Sequence, residues 1–93
     1  MKSYASIDRI EGKFVVCEVE LLDVEESKPE NFATKDVTMM DVSLQEIPNG
    51  IGEVNEGDVL LVEHDGQNVS CIYCKDQEEK ARRLEVLRRI MSR

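Results

Sequence analysis

SYASIDRIEGKFVVCEVELL, residues 3–22, decides the fold. Its second half, FVVCEVELL at 14–22, alternates as a half-buried strand does. Val15, Cys17, Val19 and Leu21 fall on one face of an extended chain, and Glu18 and Glu20 fall on the other. The first half, SYASIDRI at 3–10, has strand composition with looser alternation. Glu11-Gly12-Lys13 between them is a tight-turn signal. Two strand-like runs across a short glycine turn predict a β-hairpin.

The rest of the chain extends that reading. Residues 23–34, DVEESKPENFAT, are acidic, contain Pro29 and read as a loop. Residues 35–44, KDVTMMDVSL, return to strand character. Met40, Val42 and Leu44 share one face while Val37 and Met39 share the other, which predicts a bend or bulge. Residues 45–57 hold Pro48 and three glycines and form a connection, pinned to the core by Ile47, Ile51 and Val54. A fourth strand at 58–64 and a fifth at 67–74 flank Asp65-Gly66, a two-residue hairpin signal. Asp76 then opens a helix, with Glu79 at capping-box spacing. Ala81, Leu84, Leu87 and Met91 make an apolar stripe along it, with Arg82, Arg89 and Arg93 on the opposite side. The stripe should dock on the strands or on a partner.

The expected fold is therefore mainly β: a small five-stranded SH3-like or OB-like barrel with a C-terminal α-helix. The 93 residues suffice for one domain with a thin core. The barrel would occupy 1–75, and the amphipathic helix at 76–93 would dock on it.

Charge narrows the function. Residues 1–75 carry 6 Lys/Arg and 16 Asp/Glu, whereas residues 76–93 carry 6 and 4. An acidic body repels phosphate backbones, so composition argues against autonomous nucleic-acid binding. No stretch approaches the roughly 20 apolar residues of a membrane span. The opening MKSYASIDRI has no apolar signal region, and three cysteines do not form a secreted disulfide framework. The expected compartment is the cytoplasm.

Three constellations bear on chemistry. Cys71 and Cys74 form a Cys-x-x-Cys pair just before the helix. In a regular strand, residues three apart point to opposite faces, so Cys71 would fill the core with Val69 and Tyr73 while Cys74 faced away. A zinc site would need about four ligands, drawn from Cys71, Cys74, Cys17 and His64 or shared between two chains. A redox couple would need the first thiol at a helix N-terminus. His64, the single histidine, precedes the turn at Asp65-Gly66 and is expected at the surface, with no nucleophile placed beside it. The acidic run Asp23, Glu25, Glu26 lacks a calcium-loop pattern, and no glycine motif cradles a phosphate.

IDRIEG at 7–12 followed by FVV, VSLQEIP at 42–48, NEGDVLLVE at 55–63 and the closing KDQEEKARRLEVLRRI resemble the bacterial domain-of-unknown-function 3006 family. The resemblance covers nearly the whole chain. It departs from the family in a longer loop at 23–36 and in the Cys-x-x-Cys of the fifth strand. Members are often encoded beside, or fused to, metallo-β-lactamase-fold hydrolases. The family is functionally uncharacterised; the missing catalytic constellation and the small size lead to the expectation of a non-enzymatic accessory or interaction domain that binds another protein, with an adjacent hydrolase as one partner class and no cofactor of its own. Asp8, Arg9 and Glu11 match the opening motif and are candidate partner-binding residues, as are Arg82, Arg89 and Arg93 on the helix. A zinc or thiol-redox module on Cys71 and Cys74, and an OB-like nucleic-acid-binding domain, are the alternatives.

Overall fold

The computed structural model describes residues 1–26 and 36–92. The loop expected around Pro29, and Arg93, lie outside the described residues. Five antiparallel strands form one sheet: β1 (Lys2–Glu11), β2 (Phe14–Glu20), β3 (Val37–Ser43), β4 (Val59–His64) and β5 (Val69–Lys75). Their order is β3-β2-β1-β4-β5. Among the described residues one α-helix, α1 (Gln77–Met91), follows.

The opening hairpin forms as its sequence predicts, with Glu11 opposite Phe14. Gly12 closes the turn at φ 57°, a backbone region that glycine enters without a Cβ penalty. β1 becomes the central strand because β4 pairs along its other edge, from Lys2 opposite Glu63 to Ser6 opposite Val59. At Asp8 the β1–β2 register slips by one residue. Just before that slip, Ile7 accepts from the Gly57 amide and donates to the Asp58 carbonyl, both at 2.9 Å. The turn that launches β4 is thus tied to the bulge.

One face of the sheet supplies the core. Ala5 and Ile7 of β1, Val15, Cys17 and Val19 of β2, Met40 and Val42 of β3, Leu60 and Val62 of β4 and Ile72 of β5 pack together, and Val54 joins them. Ile47, Ile51 and Ile10 seal the cluster, so the connection is pinned as expected. The sheet curls about this cluster but does not close. Its edge strands β3 and β5 approach each other without hydrogen-bonding, and a cleft of about 240 Å³ lined by Val42, Glu46, Val69, Ser70, Cys71 and Ile72 lies between them.

Several local expectations are corrected. β3 runs in unbroken register with β2, so it has no bulge. Val37 and Met39 stay exposed on an edge strand, and the apparent face switch needs no kink. Leu21 and Leu44 fall beyond the strand ends and are partly exposed. The β4–β5 loop spans four residues, Asp65–Asn68, in place of two. Asp65 Oδ1 accepts the amides of Gln67 (2.8 Å) and Asn68 (2.7 Å), and this side-chain turn organises a longer loop than Asp-Gly alone suggests.

The bulges lie instead in β1 and β5. The β4–β5 register slips twice, leaving Ser70 and Tyr73 unpaired. Each slip inverts the alternation beyond it. Ile72 is therefore the buried residue of β5, and Cys71 and Tyr73 are exposed, which overturns the placement of Cys71 in the core. Among the described residues, no helix is long and apolar enough to cross a membrane.

Candidate interaction surface on the C-terminal helix

Asp76 caps α1 as its spacing predicts: Oδ1 accepts the Glu79 amide at 2.9 Å. The reciprocal half of a capping box is absent, because the Asp76 amide donates to the Val59 carbonyl at 2.8 Å and the Glu79 carboxylate turns elsewhere. It accepts from Arg82 Nε at 3.0 Å and from Arg83 Nε at 2.8 Å.

Arg83 is the centre of the docking contact. Its Nη1 donates to Ser6 Oγ at 3.3 Å, and its guanidinium lies 5.0 Å from the centroid of the Tyr4 ring. Nη2 sits 2.7 Å from Glu20 Oε2. The N–H bonds of Nη2 do not point along that line, so this contact is an ion pair without hydrogen-bond geometry. Glu20, Glu79 and Arg83 are all buried. Beside them, Lys80 Nζ donates to buried Asp58 Oδ1 at 2.7 Å. Burial alone would raise the Asp58 carboxyl. The bonds from Lys80 and the Asn55 amide, with the charges of Lys80 and Lys75, outweigh it and hold the group below the usual carboxylate range. Burial raises the Tyr4 phenol, and Glu79 and Asp76 add to the rise.

The sheet explains why charges make this joint. Tyr4, Ser6 and Glu20 lie on its outer face, opposite the residues that fill the core. The apolar face is already consumed by the curl, and the outer face offers the helix hydroxyls, a carboxylate and an aromatic ring beside Val59 and Leu61 of β4. The first two turns of α1 answer with Glu79 and Arg83. The apolar stripe does not dock on the strands. Leu84, Leu87, Ile90 and Met91 are exposed by 52%, 40%, 52% and 75%, and Ala81 is also exposed. With 100° per residue, Leu84 and Met91 lie about 100° and 80° round from Arg83, and Leu87 about 40°. Among the described residues they line a shallow groove with Arg88 and Ser92.

The arginines divide accordingly. Arg82 is engaged by Glu79, which raises its pKa. Arg89 lies 3.8 Å from Glu85, and both side chains are open to solvent. Arg83, which the sequence did not single out, does the docking. Its signal was present as an arginine one residue before an apolar stripe, with a glutamate four residues upstream. The buried glutamate on β2 could not be guessed, since alternation puts Glu20 on the polar face.

The first-hairpin candidates form a closed surface cluster. Arg9 Nη1 donates to Asp8 Oδ2 at 2.6 Å and Nε donates to Glu11 Oε1. The bond to Glu11, then that to Asp8, raises the Arg9 pKa. The charge of Arg9 is met within its own strand.

His64 is buried, contrary to the expectation of surface exposure, because its position on β4 turns it inward at the sheet end. Nδ1 accepts the Gly66 amide at 3.0 Å, and Nε2 lies 2.9 Å from Ser3 Oγ. Ser3 Oγ in turn donates to the Leu22 carbonyl at 2.8 Å. A neutral ring with Nδ1 accepting must carry its proton on Nε2, so it donates to Ser3. A general base would have to accept there. Ser3 has no activated oxygen in this arrangement.

The zinc candidates are not brought together. Cys17 is in the core, His64 is engaged by Ser3 and Gly66, and Cys71 and Cys74 lie at the surface of an edge strand, with no group of three metal-binding side chains among the described residues. Burial, reinforced by Asp41, pushes the Cys17 thiol up to about 11. The bulge at Tyr73 has one effect on the pair that plain alternation misses. Cys71 and Cys74 pair with Glu63 and Leu61, which are two apart on β4 and share a face.

No family model, no curated protein and no solved structure matches this chain.

Proposed function

We propose that this protein is a non-enzymatic interaction domain that presents the second half of α1 to another protein chain. One observation carries the reading: the helix is anchored by buried charges while Leu84, Leu87, Ile90 and Met91 remain exposed on one continuous side. Exposed leucines at helical spacing are a recognised mode of helix-in-groove or helix–helix binding. The anchoring keeps that side rigid and so lowers the ordering cost of association. The resemblance to the domain-of-unknown-function 3006 family supports the same reading and suggests a metallo-β-lactamase-fold hydrolase as one partner class. In this reading the curled sheet is a partly open small barrel of SH3-like or OB-like kind, working in the cytoplasm as a platform for the helix. The hydrogen-bond direction at His64 and the charge pairing of Arg9 favour a structural role for both.

A photo-crosslinking residue at position 87, in the native host, tests the proposal. The expected result is an adduct of discrete mass from position 87 and none from position 18 on the outer face of β2. No adduct from position 87, or the same smear from both positions, would overturn it.

A second reading attaches to Cys71 and Cys74, because both are exposed and the bulge gives them partners on one face of β4. Thiol titration before and after mild oxidation distinguishes it: loss of both thiols from a monomer supports a dithiol function. Nucleic-acid binding has less support, since Arg82 and Arg83 are held by Glu79 and Glu20.

A further inference from the structure

We infer that Cys71 and Cys74 form a binding site for a soft, two-coordinate cation of the copper(I) kind. The inference rests on the dithiol reading of this pair and names its ligand. Because Tyr73 is left unpaired in β5, Cys71 and Cys74 stand opposite Glu63 and Leu61. Those positions lie two strand rises apart on one face of β4, about 7 Å. Both thiols are exposed. Both also border the seam along the free edge of β5. Cys71 lines the cleft with Val42 and Glu46, and Cys74 lines a crevice with Pro48, Gly50 and Ile51.

The neighbouring side chains leave the pair open. Tyr73 would otherwise stand between the two thiols. Its hydroxyl donates to Glu63 Oε1 at 3.2 Å, and Lys2 Nζ sits 4.7 Å from its ring centroid. The ring therefore lies across β4 towards β1, away from the edge. The ammonium of Lys75 is also engaged elsewhere, donating to the Glu53 carbonyl at 2.8 Å.

Spacing and donor count select the ligand. A disulfide needs Cβ atoms about 4 Å apart, which side chains standing side by side at this spacing reach only if the backbone moves. A cation between the sulfurs relaxes that demand. Two metal–thiolate bonds of about 2.3 Å each span up to about 4.6 Å, against about 2 Å for a direct S–S bond. Thiolates select copper(I), zinc and iron–sulfur clusters. Zinc and the clusters take about four ligands. Among the described residues no third His, Cys, Asp or Glu side chain joins the pair. Copper(I), satisfied by two thiolates in line, is the member of that set that fits. Each thiol releases its proton to solvent on binding, and the metal keeps its oxidation state.

Copper(I) titrated under argon into the reduced full chain, in competition with a chromogenic copper(I) chelator, tests the site. The expected result is one copper per monomer, with two sulfur neighbours in X-ray absorption. Cys71→Ser and Cys74→Ser, both at exposed positions, should keep the circular dichroism spectrum and lose the copper to the chelator. No copper drawn from the chelator would overturn the inference, as would either variant retaining it. One metal per two chains with four sulfur neighbours would overturn it in favour of a site shared between copies. Both thiols lost from a monomer on mild oxidation, with no copper held, would remove the cation and leave a dithiol function standing. No copper and no paired oxidation would remove both.

Discussion

The two halves of α1 reverse the usual assignment of side chains. In the half near the sheet, charges are buried: Glu79 and Arg83 lie under the helix with Glu20 of β2. In the far half, the leucines, isoleucine and methionine face solvent. The reversal follows from the sheet. A sheet that curls about its apolar face spends that face internally, and whatever docks outside must match Tyr4, Ser6 and Glu20 as well as Val59 and Leu61. Leu84, Leu87, Ile90 and Met91 on the docked element are then left exposed, and in the proposed function they are the surface offered to another chain. The sharpest way to break this comparison is to disturb the buried half.

Arg83→Ala should cause the largest loss. It removes the cation that buried Glu20 and Glu79 share, while Glu79 keeps Arg82, and removing one member of a buried ion group typically costs about 3–5 kcal/mol. Urea denaturation measures it. Replacing all three together, Glu20→Leu, Glu79→Leu and Arg83→Met, should come close to wild-type stability or exceed it, because no buried charge is left unmatched. If the single substitution proves mild, the joint does not depend on Arg83.

Asp58→Asn is the next largest. It removes the ionic character of the bond to Lys80 at the root of the helix and should cost about 1–3 kcal/mol at neutral pH. The sign with pH follows from its low carboxyl pKa. Stability from this group is fully present above the ordinary carboxylate range and is lost as pH falls through the lower folded value. The variant should therefore show a shallower decline in melting temperature below about pH 4. An unchanged acid limb would remove Asp58 as a source of it.

The exposed half should behave oppositely. Leu84→Ser and Leu87→Ser should each shift stability by no more than about 0.5 kcal/mol at dilute, monomeric concentrations, as surface substitutions do. The same changes in a docked stripe would cost several times more. Thermal melts at low concentration discriminate the two, and a large loss would mean that the stripe packs on its own sheet.

How far the sequence discloses this arrangement depends on which physical signal each part uses. The opening hairpin was legible because Glu11-Gly12-Lys13 and the alternation of 14–20 are local. The helix start was legible for the same reason, through Asp76 and Glu79. The bulges at Asp8, Ser70 and Tyr73 were not, since each is set by pairing to a distant strand. Missing two slips in one strand reversed the reading of β5 and put Cys71 inside. His64 was misplaced because a polar residue beside a turn normally faces water, and its partner Ser3 lies 61 positions away. The helix stripe was expected to dock on the strands or on a partner, and on the strands it does not dock. Only the outer face of the sheet, which has no local signature, tells that the cover is not the sheet.

The cysteines carry the smallest energetic effect and probe the same contrast of inside and outside. Burial, with Asp41, raises the Cys17 thiol to about 11, while Cys71 and Cys74 stand exposed on β5. A disulfide reagent at pH 8 should therefore titrate two thiols per chain rapidly and the third only as the protein unfolds, because the thiolate is the attacking species. Cys71→Ser and Cys74→Ser should each change stability by less than about 0.5 kcal/mol. Cys17 has the opposite linkage to Asp58. Its contribution is present below the ordinary thiol range and declines as pH rises towards about 11, so alkali should loosen the core. If a third thiol reacts as fast as the first two in the native protein, the β1–β2–β3 core opens locally, and the rigid platform assigned to α1 loses its foundation.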